Sequence, residues 1–261
     1  MQLKLSQLLL VPFMLLFITS LYGQKKIIQQ PMIWYSYVQN IKINERFTIQ
    51  TDVQERHYVQ PIKQHQWLIR TELRTTIKPN IDFGTGLAFF LSNTDISTTK
   101  AVEVPEVRPH IEINQKQPFK RVTIAHRYKL EARFFQKTNI NGLENGFKFN
   151  CMRFRYQFAL DIQLNKPKNN HHALKLKLIE EVMLNFGKAI KYNTFDQNRA
   201  YILLQYAPIP ALTIEAGYLN VFQQRSTGDK YNNRNTFKIG IIHNINLSKR
   251  QKTSDSNQKI N

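Results

Sequence analysis

The sequence predicts an all-β fold, an antiparallel transmembrane β-barrel of about ten strands, with twelve as the alternative. Three observations support this prediction. One segment of about thirteen residues alternates strictly between apolar and polar side chains. Comparable segments recur about every twenty residues. Beyond the first residues there is neither a stretch of 18 apolar residues nor a sustained helical period, so the sequence does not predict membrane-spanning helices.

The clearest strand runs from Met152 to Leu164 (M-R-F-R-Y-Q-F-A-L-D-I-Q-L). Phe154 and Phe158 fall on one face, and Arg153 and Arg155 fall on the other, because successive side chains of a strand point to opposite sides. Soluble strands usually have five or six residues, whereas a tilted strand that crosses a bilayer needs roughly 9–11. The length and the charged second face therefore predict a strand between lipid and a polar lumen.

The two ends of the chain are predicted to lie outside the barrel. Residues 1–23 are interpreted as a secretory signal peptide, because Leu8 to Ile18 is an apolar run of about eleven residues, too short for a membrane-spanning helix. Residues 24–44 are a lead-in segment or a first strand, and residues 45–248 form the predicted barrel. Residues 249–261 are almost free of apolar side chains and predict a disordered tail.

Candidate strands are separated by joints rich in Pro and Asn. We place the strands near residues 32–43, 45–56, 66–78, 80–91, 104–114, 120–136, 150–165, 173–186, 198–207, 210–222 and 235–248. The joints at 79, 115–119, 166–172 and 208–209 are short, and those near 57–65, 92–103, 137–149, 187–197 and 223–234 are longer. Outer-membrane barrels have short periplasmic turns, so the longer joints are predicted to lie outside the cell.

The eleven candidate strands conflict with the even strand number of bacterial single-chain barrels. The segment around Trp34 to Ile43 is then surplus, and it could lie in the lumen or at the periplasmic rim, which leaves ten strands. The alternative is that one strand has been missed, which makes twelve. We favour ten.

Several strands carry charged residues on the face opposite their apolar residues. Placing such a row on lipid would cost about 2–4 kcal/mol for each Lys or Arg at the bilayer midplane, so the charged rows are predicted to face the lumen. The predicted lumen lining consists of Arg127, Lys129, Glu131, Arg133, Arg153, Arg155, Asp161, Lys175, Lys177, Glu181, Arg199 and Glu215. These residues predict either a salt-bridged, filled interior or a narrow pore that favours anions.

The chain is strongly basic, with 37 Lys and Arg against 18 Asp and Glu and a net charge of +19. Such a charge can indicate nucleic acid as a partner, but the predicted export and the spread of basic residues along alternating strands argue against it. The predicted partners are membrane lipids, including an anionic outer-leaflet glycolipid, and an anionic solute. A secreted, soluble barrel that carries a ligand is an alternative, and it would have the reverse polarity, with apolar side chains inside.

Four short stretches carry a resemblance to a known family: H-R-Y-K-L-E-A-R-F (126–134), R-F-R-Y (153–156), F-D-Q-N-R-A-Y (195–201) and E-A-G-Y-L (215–219). They resemble the exported family known as domain of unknown function 2490, over nearly the whole chain from about Trp34 to Leu247. The resemblance implies an outer-membrane β-barrel of a Gram-negative bacterium, without a known activity or catalytic residue. The chain departs from many outer-membrane proteins in ending its last strand on Leu247 rather than on an aromatic residue.

Three polar residues fall on rows predicted to face lipid: His126, Glu180 and His243. A lipid hydrolase or acyltransferase of this membrane would need such a His with a Ser or a metal nearby. No Ser lies in a strand beside these residues, so a bulge that changes the local facing or an oligomer contact explains them more simply. His171-His172 is interpreted as part of a solvated turn. Gly84-x-Gly86 is interpreted as a bend or a close contact inside a strand. No catalytic, cofactor or metal site is predicted.

The sequence therefore predicts an outer-membrane barrel that is not an enzyme. Its expected role is a small transport pore or a structural barrel with a basic lumen. An outer-membrane lipid hydrolase or acyltransferase is the first alternative, and the secreted ligand carrier is the second. The solute and the oligomeric state are left open at this point.

Overall fold

The structure, a computed structural model, describes residues 26–93, 103–139, 142–167 and 171–248. The predicted signal peptide and the predicted C-terminal tail lie outside the described residues. The described strands are β1 (Lys26–Gln29), β2 (Met32–Lys42), β3 (Phe47–Tyr58), β4 (Lys63–Lys78), β5 (Ile81–Asn93), β6 (Glu103–Pro118), β7 (Val122–Asn139), β8 (Gly142–Gln163), β9 (Ala173–Phe186), β10 (Phe195–Ile209), β11 (Leu212–Gln224) and β12 (Lys230–Asn246). Within the same residues, no helix is long and apolar enough to cross a bilayer.

Strands β2 to β12 follow one another around a single sheet, and the sheet closes into a barrel where β12 pairs with β2. Consecutive strands of the barrel are antiparallel, but the closing pair is parallel, from Met32 beside Thr236 to Lys42 beside Asn246. An up-and-down barrel with an odd number of strands closes in this way because its first and last strands run in the same direction. Closure leaves no unpaired edge along the wall.

Strand β1 continues the line of β2 along the same neighbour. It pairs in parallel with β12 from Lys26 beside Lys230 to Gln29 beside Asn233, in the register that β2 then maintains. Pro31 separates the two strands because it has no amide hydrogen to donate to a ladder. Together, β1 and β2 therefore cover the full length of β12.

The predicted all-β barrel of about ten to twelve strands is confirmed, with eleven strands in the wall and β1 in addition. The segment around Trp34 to Ile43, which the ten-strand count made surplus, lies in the wall as most of β2. An even number of strands is required only where every neighbouring pair is antiparallel, and the parallel pairing of β12 with β2 removes that requirement.

The prediction of long loops near 57–65 and 137–149 is wrong, because the neighbouring strands extend into both segments. β7 and β8 continue as a hairpin to Thr138 beside Leu143, so that residues 137–149 are largely paired strand. β4 begins at Lys63, which reduces the predicted loop at 57–65 to a tight turn. The residues of these extensions are polar or exposed on both faces, and cross-strand contacts such as the Phe134 and Phe149 rings, 5.4 Å apart, support them.

We name the two ends of the barrel by their connections. The hairpin end holds the connections from β3 to β4, β5 to β6, β7 to β8, β9 to β10 and β11 to β12, and the turn end holds the others. The turn end includes the joint at 164–172, so the contrast in length between the two ends is smaller than predicted.

The wall separates an apolar outer face from a polar interior. Ile202 and Phe237 on the outer face are 56% and 51% exposed, whereas Glu131 and Glu181 on the inner face are 1% exposed. A soluble ligand carrier would have the opposite arrangement, because water would then contact the outer face.

Candidate functional site

The twelve residues predicted to line the lumen all lie on inward-facing rows of β7 to β11, but they do not form one cluster. Most lie in the central part of the barrel, where carboxylates and guanidinium groups alternate. Lys175 lies apart, at the turn end, beside a small cavity of about 240 Å³. Lys177 contacts Asp161 at 3.4 Å, and Glu215 is paired with Lys238 of β12.

Glu181 of β9 is the centre of the first charged cluster. Its carboxylate accepts hydrogen bonds from Arg155 of β8 at 2.8 Å and Arg127 of β7 at 2.6 Å, and Arg199 of β10 lies 3.9 Å away. Four strands thus contribute to one cluster around a carboxylate that is 1% exposed. Arg155 also donates to Glu131 of β7 at 2.8 Å, which links this cluster to the next one.

Lys129 of β7 belongs to a second cluster, whose other members are on β4 and β6. Its ammonium group lies 2.6 Å from Glu112 and 3.5 Å from Glu72. Arg74 donates to both of these carboxylates, and the His110 ring nitrogen Nε2 lies 3.2 Å from Glu72. Two carboxylates and two cations therefore balance each other, and all but the partly exposed Arg74 are buried, as burial of charges requires.

A third cluster lies nearer the hairpin end. Glu106 of β6 accepts paired hydrogen bonds from Arg108 at 2.6 Å and from Arg133 at 2.5 and 3.1 Å. Arg153 of β8 contacts Asp196 at 2.9 Å. Bidentate pairs of this type hold the guanidinium planes in one orientation.

Sequence reasoning missed the inward charges of β3, β4, β6 and β12. A signal for them is nevertheless present, since charged residues follow one another at a spacing of two in Arg70-x-Glu72-x-Arg74 and in Glu106-x-Arg108-x-His110-x-Glu112. The alternation is weaker in these strands because Thr71 and Thr75 of β4 and Pro105 and Pro109 of β6 interrupt the apolar rows between the charges.

The interior also contains open space. A cavity of about 500 Å³ lies toward the hairpin end, and a cavity of about 360 Å³ lies toward the turn end. Five residues line both cavities, and we call them the waist: Trp34, Arg56, Arg70, Arg155 and Arg199. The second cavity and the small cavity beside Lys175 share Gln205. The two larger cavities thus adjoin each other at the waist.

Aromatic rings hold several of the guanidinium groups in place. The Arg56 guanidinium lies 3.9 Å from the centre of the Trp34 ring, and Arg199 approaches the same ring at 5.3 Å. Arg108 lies 3.7 Å from the Phe90 ring. Such stacking stabilises a cation by about 0.5–2 kcal/mol and occupies its flat face, while the N–H groups of Arg56 and Arg108 donate to Gln66 and Glu106.

The three polar residues on the outer face have hydrogen-bond partners of their own. His126 Nδ1 lies 2.9 Å from the Tyr156 hydroxyl, and His243 Nδ1 lies 3.2 Å from the Tyr37 hydroxyl. Glu180 accepts a hydrogen bond from Asn198. The strand register is regular through all three positions, so the predicted bulge is wrong, and cross-strand partners satisfy these groups instead.

The family model described as "Protein of unknown function (DUF2490)" matches residues 32–232. No curated protein matches the chain. A solved structure titled "NanC porin structure in rhombohedral crystal form" has a TM-score of 0.47 and 9% sequence identity, and the match covers 82% of this chain and 98% of that chain. Because the family model spans β2 and continues into β12, most of the barrel wall, this chain belongs to the family of proteins of unknown function DUF2490.

Proposed function

We propose that the protein is an outer-membrane barrel that passes small anions through a narrow, arginine-lined lumen. The observation that carries the proposal is the waist, where Arg56, Arg70, Arg155 and Arg199 line both cavities together with Trp34. Anion pores select their ions with rings of Arg and Lys, whose charge replaces part of the lost hydration. Because these residues line both cavities, an ion that moves from one cavity to the other must come close to their side chains.

The outer face supports the placement in a membrane. The outward rows of β9 to β12 are mainly apolar, and many of their residues are half exposed, among them Leu184, Ile202, Ile214 and Phe237. A contiguous apolar exterior of this kind is unfavourable in water and favourable in lipid. Together with the predicted signal peptide, it supports an outer membrane as the location.

The membrane placement predicts a strong dependence on depth along β10. We expect Ile202→Lys, at the middle of the strand, to lower the free energy of unfolding in lipid vesicles by about 2–4 kcal/mol, because a lysine at the midplane must leave water. The matched variant Ile209→Lys, at the end of the same strand, should cost at most about 1 kcal/mol. Urea unfolding of the barrel in vesicles measures both values, and equal small losses would contradict a lipid-facing β10.

Conduction is tested on the refolded protein in a planar bilayer with a salt gradient. We expect discrete current steps whose reversal potential favours anions. In Arg199→Gln the anion-to-cation permeability ratio should fall by a factor of about two or more, because one charge of the waist is removed while the side chain stays polar. Lys191→Gln removes an exposed charge from the connection between β9 and β10 and should leave the ratio nearly unchanged.

Two results would contradict the proposal. Stable insertion without current steps would mean that the waist closes the lumen, and the protein would then be a structural barrel. Current steps that prefer cations would mean that the waist arginines are neutralised by their carboxylate neighbours and do not select the ion.

A further inference from the structure

Polar side chains interrupt the mainly apolar outer face of β9 to β12. Ala200 of β10 lies between Glu180 of β9 and Asn220 of β11. Asn220 in turn lies beside Asn235 of β12, so that one row crosses four strands. Two further asparagines flank this row on the hairpin-end side. We call the five polar residues the outer band: Glu180, Asn198, Asn220, Asn233 and Asn235.

The outer band lies within the apolar part of the wall and not at its edge. On β9, outward apolar residues continue from Glu180 in both directions, to Leu174 near the turn end and to Phe186 near the hairpin end. On β11, Tyr218 and Phe222 lie on the two sides of the band. In the membrane placement proposed above, on which this inference rests, lipid tails would surround the band. Lipid tails offer no hydrogen-bond partner, so the band is unfavourable there unless another polar surface covers it.

The hydrogen bonds within the outer band do not use all of its polar groups. Asn198 donates to Glu180, which accepts one hydrogen bond in the described part of the chain, although a carboxylate offers about four acceptor positions. The side-chain oxygen of Asn235 accepts from Asn220 at 3.0 Å and from the Tyr218 hydroxyl at 2.6 Å. The amide nitrogen of Asn235 donates to no group among the described residues. Glu180 and Asn235 are also the exposed members of the band.

We propose that the outer band is the contact surface between two copies of this chain in the membrane. A surface that contacts its own copy must carry groups that complement one another. The band meets this requirement, because Asn235 at one end offers a free donor and Glu180 at the other end offers free acceptor positions. The asparagines between them can both donate and accept. Lipid head groups would lie beyond Phe186 and Phe222, so they would not cover the band.

Energy transfer between labelled copies in lipid vesicles tests the proposal. Lys191→Cys, in the exposed connection between β9 and β10, provides a position for a dye, because Cys151, the one cysteine of the chain, is buried. Copies with a donor dye and copies with an acceptor dye are refolded together and then diluted with lipid. The double variant Glu180→Leu/Asn198→Leu removes both members of a bonded pair, so neither is left without its partner. The control Thr85→Val replaces an exposed polar residue of β5, outside the band.

We expect energy transfer between copies with the native band to exceed the level of random proximity and to persist on dilution with lipid. In the Glu180→Leu/Asn198→Leu variant, a dilution at least tenfold smaller should abolish the transfer, because the contact loses its acceptor end. Thr85→Val should behave like the native band. Urea unfolding of the double variant should show a folded barrel, because leucine is favourable on a face that contacts lipid.

The results that overturn the inference are distinct from those that overturn conduction. Transfer at the level of random proximity would reject the contact, and strong transfer that the double variant retains would place the contact elsewhere on the barrel. A single barrel that keeps a bound glycolipid, and loses it in the double variant, would assign the band to lipid instead. Associated copies without current steps would support the contact and contradict the pore. Single barrels with anion-selective current steps would support the pore and contradict the contact.

Discussion

Glu181→Gln is expected to lower the free energy of unfolding by roughly 3–5 kcal/mol, because it removes a buried charge shared by Arg155, which is buried, and by Arg127 and Arg199, which are partly buried. Glutamine keeps the shape and one acceptor oxygen, so the loss reports on the charge. Arg155 keeps Glu131 at 2.8 Å, whereas Arg127 loses the carboxylate that it contacts at 2.6 Å. Urea unfolding in lipid vesicles, followed by the shift of the folded band on unheated gels, measures the effect.

The matched control is Glu45→Gln. Glu45 contacts Lys42 at 2.7 Å, a distance similar to those around Glu181, but its side chain is 74% exposed. Exposed pairs of this kind contribute about 0–1 kcal/mol, so this variant should be close to the wild type. Similar losses for Glu181→Gln and Glu45→Gln would show that water reaches the cluster around Glu181.

Gly86→Ala is expected to destabilise the barrel by about 3 kcal/mol or more, or to prevent refolding. A Cβ atom at Gly86 of β5 would lie 2.2 Å from the carbonyl oxygen of Thr71 and 2.7 Å from the Cα of Glu72. Both atoms belong to the backbone of β4, so the strands must separate to admit the methyl group. This movement would also displace Glu72 from His110 and Lys129.

Gly84→Ala provides the comparison two residues away on the same strand. Its Cβ atom would meet a side-chain atom, the Cγ of Glu112, at 2.9 Å. Because a side chain can move more easily than a strand, we expect a loss of about 1 kcal/mol. If both variants lost the same stability, the close approach of β4 and β5 at Gly86 would not be a requirement of the fold. Refolding yield and urea unfolding check both variants.

The interpretation of Gly84-x-Gly86 as a bend or close contact could be made from the sequence because glycines inside an alternating strand usually mark such positions. The alternation also located the strands, including the long ones from Val122 and from Met152. Polar rows of such strands cannot face lipid, and this rule put Arg153, Arg155 and Glu181 on one side of the wall. The residue partners of these charges could not be inferred in the same way.

The parallel closure shows why local patterns were insufficient. Alternation places the residues around Trp34 in a strand, but it does not say which other strand lies beside them. The partner is β12, at the opposite end of the chain. Without knowledge of that pairing, an odd number of strands suggested that one strand was surplus or had been missed, although it is a feature of the barrel.

The sequence by itself determined the fold class, most of the strands and the face of each strand on which the charges lie, because these depend on a period of two along the chain. Only the tertiary structure decided the barrel closure, the clusters around Glu181, Lys129 and Glu106, and the waist at Trp34. These features join residues of different strands across the lumen, and such neighbours are set by the strand number and register of the closed sheet.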